Sequence, residues 1–324
     1  MKRINLYKSF SLILSALIAI TIIPLGTFTV SAVSGSGKCG ANLTWSYSDG
    51  ALTISGSGDM YDYQAGDSHW TDGIYSYPNF YEVIIKDGVT SIGAAAFYNS
   101  KNLQSVKLPS SLKSIGNMAF SNCDKLNKVS ISSLQAWLNI QFESSLNNPL
   151  TEAKKLYINN VLATDIEIPY GVSKINDYAF CNCESIQSIT IPNSVTEIGN
   201  YAFYCCTGID SVHIPNSITK IGERAFKDCT AITKVNINNI NSWCKIYFTD
   251  VQSNPLYYGK KLYINDVLAT DIILSNVITS LNDYVFYNCE NIKSIRLPKG
   301  ITIIRNLAFY NCSGLTDVFY LIHL

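Results

Sequence analysis

Ten cysteines are the residues of this 324-residue chain best suited to chemistry. Six of them, Cys123, Cys183, Cys206, Cys229, Cys289 and Cys312, follow one another at intervals of 60, 23, 23, 60 and 23 residues. Zinc needs four ligands at short paired spacings. Cys181-Asn182-Cys183 and Cys205-Cys206 are too close for that, and no second half-site exists. Three histidines leave little for acid–base work. No G-x-S-x-G, H-E-x-x-H or Walker loop occurs, and Gly35-Ser36-Gly37-Lys38 lacks the Walker spacing. Acids are scattered, so no glycosidase couple stands out. Asp165 and Asp271 recur beside a strand, which reads as a turn role rather than an active site. A non-catalytic protein without metal or cofactor is expected.

The spacing of those cysteines points to what positions them. Each lies three residues after a phenylalanine, in the series Phe97, Phe120, Phe180, Phe203, Phe226, Phe286 and Phe309. Ser100 takes the cysteine position in the first unit. Five residues before each Phe is Ile or Leu, and the residue before it is Ala, or Val285. Six, nine and eleven residues after Phe203 come Ile209, Val212 and Ile214. That is L-x-x-L-x-L, a leucine-rich strand segment. Pro109, Pro192, Pro215 and Pro298 follow and end the ladder, because proline cannot donate. A longer duplication contains the short one: Phe97, Trp137, Pro149 and Phe180 recur 106 residues on as Phe203, Trp243, Pro255 and Phe286. The 60-residue gaps therefore read as irregular insert coils, about 132–168 and 238–274, inside one continuous stack. Asn159-Asn160 and Asn265-Asp266 read as hairpin turns within them.

Stacked coils bury an apolar face that no single coil can bury. The expected fold is a β-rich solenoid, a leucine-rich repeat with 23-residue coils in a nested 106-residue duplication, over 82–324. The six repeat cysteines then form an inward ladder of reduced thiols packing as small apolar groups. Cys39, Cys181, Cys205 and Cys244 fall outside it, and a disulfide among these four stays open. Residues 33–81 supply an aromatic, Gly-rich cap containing Trp45, Tyr47, Tyr61, Tyr63, Trp70, Tyr75, Tyr77, Phe80 and Tyr81. A sugar-stacking site is the alternative role for these rings. The last coil reaches Val318-Phe319-Tyr320 without a polar cover, so a truncated end or self-association at the C-terminal edge is expected.

Composition narrows the function. Lys+Arg and Asp+Glu are 24 each, which leaves no basic excess for nucleic acid. Lys2, Arg3 and Lys8, the apolar run Phe10–Ile23 and Val30-Ser31-Ala32 have the order of a secretory signal peptide over 1–32. No membrane span is expected after its cleavage.

The string Ile198-Gly199-Asn200-Tyr201-Ala202-Phe203 and its continuation resembles the bacterial surface-antigen (BspA-type) leucine-rich repeats, over roughly residues 82–320. The opening Cys39-Gly40-Ala41-Asn42-Leu43-Thr44-Trp45 is similar to the N-terminal segment these proteins often carry. The resemblance implies a secreted or cell-surface bacterial protein that adheres to an extracellular protein or glycan. A spacer or scaffold without a ligand site, or a secreted carbohydrate-binding or hydrolytic module, are the alternatives. Any ligand face is expected on the outward strand positions: Ser105 and Lys107, Lys128 and Ser130, Ser188 and Thr190, Ser211 and His213, Lys234 and Asn236, Ser294 and Arg296. This stripe reads as small polar residues and cations without an acid.

Overall fold

The computed structural model describes residues 34–65, 70 and 80–320. The leader at 1–32, Tyr75 and Tyr77 lie outside the described residues. One regular coil runs from the strand Ser188–Thr190 through a proline turn to the short strand Glu197–Ile198. It then turns around Phe203 and returns at Ser211–Ile214. Strands one coil apart pair in parallel, Ser188 with Ser211 and Glu197 with Lys220. Inward residues alternate with outward ones because side chains of a strand point to opposite faces. Ile189 and Val212 are buried between their outward neighbours.

The turn around each phenylalanine needs two left-handed residues, two before and two after it. Around Phe203 these are Tyr201 (φ 53°) and Cys205 (φ 55°); around Phe120, Met118 (57°) and Asn122 (63°). Asn fills the second position in most coils, since its short polar side chain tolerates this conformation. The first position is filled by Tyr, Met, Arg, Ala or Leu, at a cost in strain. The phenylalanine rings stack, Phe180 on Phe203 at 5.5 Å and Phe203 on Phe226 at 5.3 Å between centroids. Four repeat thiols also donate to the carbonyl of the preceding coil's Phe: Cys123, Cys206, Cys229 and Cys312, at 3.0–3.1 Å. The thiols are thus weak donors as well as small apolar groups. Cys312 is only half-buried, and all ten cysteines are free thiols. No pair among Cys39, Cys181, Cys205 and Cys244 is bridged.

The glycine that follows Ile92, Ile115, Ile198 and Ile221 answers a close approach. A Cβ on Gly222 would lie 2.6 Å from the Asn200 backbone nitrogen, and one on Gly199 2.6 Å from that of Asp177. The first coil after each insert carries Asn instead. Asn176 and Asn282 donate to carbonyls of the insert, Leu138 at 2.9 Å and Ile246 at 3.0 Å.

The inserts hold short helices that the repeat pattern does not signal. Leu134–Leu138 is capped by Ser133, and Ile240–Cys244 by Asn239. They bury Trp137 and Trp243, whose indoles donate to the Ala179 and Val285 carbonyls. Trp70 makes the same bond to Ala96 at 2.8 Å and stacks on Phe97 at 5.3 Å. Each run of regular coils therefore begins on a tryptophan.

The strand pairing is not continuous along the stack. Each insert ends in an antiparallel hairpin, Leu156–Ile158 with Val161–Leu162 and Leu262–Ile264 with Val267–Leu268. The pairing stops there, and a new sheet starts at Asp165–Glu167 or Asp271–Ile273. The apolar core nevertheless runs through all three blocks. At the front, the hairpin Leu43–Ser48/Ala51–Gly56 is antiparallel and hands over in parallel to Glu82–Ile85. Trp45, Trp70 and Phe80 are buried there, while Tyr61 and Tyr81 are exposed. In the last described coil, Ile303, Ile304, Val318, Phe319 and Tyr320 are exposed.

Candidate functional site

Parallel register places the outward strand residues in two rows. The first row reads Glu82, Ser105 and Lys128 in the first block, and Lys155, just ahead of the next strand and bonded through its carbonyl to the Val129 backbone nitrogen, extends it. It reads Asp165, Ser188, Ser211, Lys234 and Lys261 in the second block. Asp271, Ser294 and Asp317 make up the third. The stripe is therefore not free of acids. Each block opens on a carboxylate and passes through serine, and the first two end on paired lysines. Strands lie ~4.8 Å apart, so these charges form a regular lattice on a rigid sheet.

Asp165 and Asp271 sit in the strands themselves, not in turns. Hydrogen bonds from Ser188 and Thr164 hold the Asp165 carboxyl below the usual carboxylate range. Ser294, at 2.5 Å, and Thr270 do the same for Asp271.

The second row runs Lys107, Ser130 and Tyr157 in the first block, and Glu167, Thr190 at the start of the second. It continues with His213, Asn236 and Tyr263. Lys107, Thr190 and Arg296 are exposed, and Ser105, Lys128, Ser188, Ser211, His213, Lys234 and Ser294 are half-buried. Ser130 and Asn236, expected to face solvent, are instead buried at 6% and 9% exposure. For Asn236 the cause is the hairpin turn. Asn236 donates to the Asp266 carboxylate at 3.0 Å and accepts from its backbone nitrogen at 3.1 Å. Ser130 pairs with Tyr157 of the equivalent hairpin.

Several expected ligand residues have partners within the chain. Lys234 forms an ion pair with Asp266 at 2.6 Å, which keeps that carboxyl low. Lys128, Lys234 and Arg296 lie over the rings of Tyr157, Tyr263 and Phe319 at 4.8, 5.1 and 5.4 Å. His213 meets Asn238 at 2.9 Å. The hairpins project Val161 (70% exposed) and Val267 (69%) beside these rows.

A tyrosine array on the opposite turns was not foreseen. Tyr178 stacks on Tyr201 at 5.1 Å, and Tyr287 on Tyr310 at 5.0 Å. These residues sit two before or one after the repeat phenylalanine, positions that the apolar signature passes over. Stacked on one another, the rings present edges rather than faces, so sugar stacking is not open to them within the stacks.

No group of three or more potential metal ligands forms among the described residues. The crevice lined by Ile214, Pro215, Trp243 and Ile246 is a shallow surface dent with no enclosed volume, against the ~300–1,000 Å³ of ligand pockets. No described helix is long and apolar enough to cross a membrane.

Parallel strands stacked at the repeat period around a continuous core define a leucine-rich repeat solenoid. The chain belongs to the BspA-type leucine-rich repeat family, whose model matches six copies over residues 71–160, 151–266 and 257–321. Among solved structures it is similar to a leucine-rich repeat protein from Bacteroides ovatus, at 24% identity over 86% of this chain and 70% of that one, TM-score 0.47. Another, from Eubacterium ventriosum, shares 22% identity over 87% and 90%, TM-score 0.36. A leucine-rich cell surface protein from Faecalibacterium prausnitzii shares 18% over 88% and 94%, TM-score 0.29. No curated protein matches. The family carries a role in protein interaction or surface adhesion, and its proteins are generally non-enzymatic.

Proposed function

We propose that the protein is exported and, without catalysis, binds extracellular protein or glycan of a host, matrix or neighbouring cell through its strand face. The observation that supports this reading is the outward double row, in which carboxylate, serine and lysine follow one another in the first two blocks on one sheet surface. Extended solenoid faces suit extended partners. The leader-like order of residues 1–32 agrees with a secreted or surface location. A glycan and extracellular-protein array tests it. Thr190→Trp and Ser294→Trp place bulk on the rows without touching the core, and binding should fall at least tenfold while the circular dichroism spectrum is unchanged. Unchanged binding by both variants refutes the face. A second reading, a scaffold without a ligand, draws on the internal pairing of Lys234 with Asp266. An array with no hits favours it.

A further inference from the structure

The two inserts are copies, and their hairpins differ where charge matters. In the second copy, Asp266 neutralises Lys234 across the row. Its equivalent 106 residues earlier is Asn160, and His213 is matched by Lys107. The first copy thus carries Lys107 and Lys128 on adjacent strands and Lys155 at the entry to the next, its carbonyl accepting from the Val129 backbone nitrogen at 3.1 Å, with an amide turn beside them. Among the described residues none of the three has an ion-pair partner, whereas eight other ion pairs form. Along its row the nearest acid is Glu82, two strands from Lys128.

We infer that this patch, Lys107, Lys128 and Lys155 with Asn160, is a binding site for a polyanionic polysaccharide. The inference rests on the strand-face reading and names its ligand class. Three cations on a rigid lattice of ~4.8 Å strand spacing suit a polymer with charges at regular intervals. Such charges attract at short range and are screened by salt. The exposed amides of Asn159 and Asn160 both donate and accept, as sugar hydroxyls require. An acidic peptide would instead add to the open strand edge. That edge, Val161–Leu162, offers two residues, too few to hold a strand. The second copy lacks the site because its own carboxylate occupies the position of the ligand's anion.

Immobilised heparin is the probe, with dextran as neutral control and poly-glutamate as acidic peptide. The full chain should bind heparin, release it as salt rises, and ignore dextran. Lys107→Glu/Lys128→Glu/Lys155→Glu should weaken binding at least tenfold, and Lys234→Glu/Lys261→Glu less than twofold. Asn160→Asp copies the second insert's turn, whose Asp266 has the same left-handed backbone, φ 66° against 67°. It should weaken binding several-fold with the fold intact, which guards against a triple variant that fails to fold. No heparin retention, no loss in Asn160→Asp, or preference for poly-glutamate would overturn the inference. The strand-face reading would then still stand or fall on Thr190→Trp.

Discussion

The Trp137 indole nitrogen donates at 3.0 Å to the carbonyl of Ala179, 42 residues along the chain. That carbonyl precedes Phe180, the first ring of the middle block, and Trp243 repeats the bond to Val285 at 2.8 Å. The bond joins an irregular insert to the first regular coil after it, where strand pairing is interrupted. The buried carbonyl of Asn148's neighbouring turn is secured in the same place, since Asn148 donates to Tyr178 at 2.8 Å.

Trp243→Phe should therefore destabilise the protein by about 2 kcal/mol, from a buried acceptor left short of a donor and a small void. Urea unfolding measures it. A loss under 0.5 kcal/mol would show that the indole contributes packing alone.

Gly222→Ala should cost about 1–3 kcal/mol, because the new methyl meets backbone that cannot yield as a side chain would. Gly300→Ala should cost far less, since a Cβ there has nothing nearer than 3.9 Å. Equal midpoints for the two variants would contradict the close-approach account.

Met118 holds a left-handed backbone at φ 57°. Met118→Asn should raise stability by about 0.5–1 kcal/mol, since Asn adopts this conformation at lower cost. A thermal melt suffices to check the sign.

Burial pushes the Cys123 and Cys289 thiols up to about 12, and Cys183 to about 11, from an ordinary 9.0. Each binds its proton more tightly folded than unfolded. Their contribution is complete below about pH 8.5–9 and fades as pH climbs towards 11–12. The urea midpoint should fall between pH 8 and pH 10.5. At pH 8 a thiol reagent should reach half-buried Cys205 and Cys312 first and the eight buried thiols only on unfolding. Fast native-state labelling of Cys206 would contradict this.

Lys234→Glu sets two carboxylates together at the second hairpin and should loosen it, whereas Lys128→Glu should not loosen the first, where neutral Asn160 is the equivalent of Asp266. Hydrogen exchange at Asn265 and Asp266, against Asn159 and Asn160, distinguishes them. The global stability change should stay within about 1 kcal/mol, as for exposed pairs.

The coil was legible because seven near-copies place Phe, Cys and the strand residues at fixed offsets. The inserts were less so. A five-residue helix such as Leu134–Leu138 shows no helical period, and two copies of an insert match each other without revealing what either folds into. Trp70 precedes Phe97 by 27 residues, while Trp137 precedes Phe180 by 43, so spacing concealed their shared role. On the strand face, the cations and serines were visible in the full L-x-x-L-x-L units. The acids were missed because Asp165 and Asp271 open their blocks directly after a hairpin, where that signature is incomplete. The burial of Asn236 depended on Asp266, a contact across 30 residues that no local pattern carries.

Every block starts on a tryptophan donor, and the first two close on the same hairpin, so the junctions between them are interchangeable. A gene encoding such a chain can gain or lose 106 codons at a time by unequal recombination, with each product meeting its neighbour through contacts it already possesses. Length then varies in whole steps, and one duplicate can mutate its surface charges while its sibling preserves the ancestral ones.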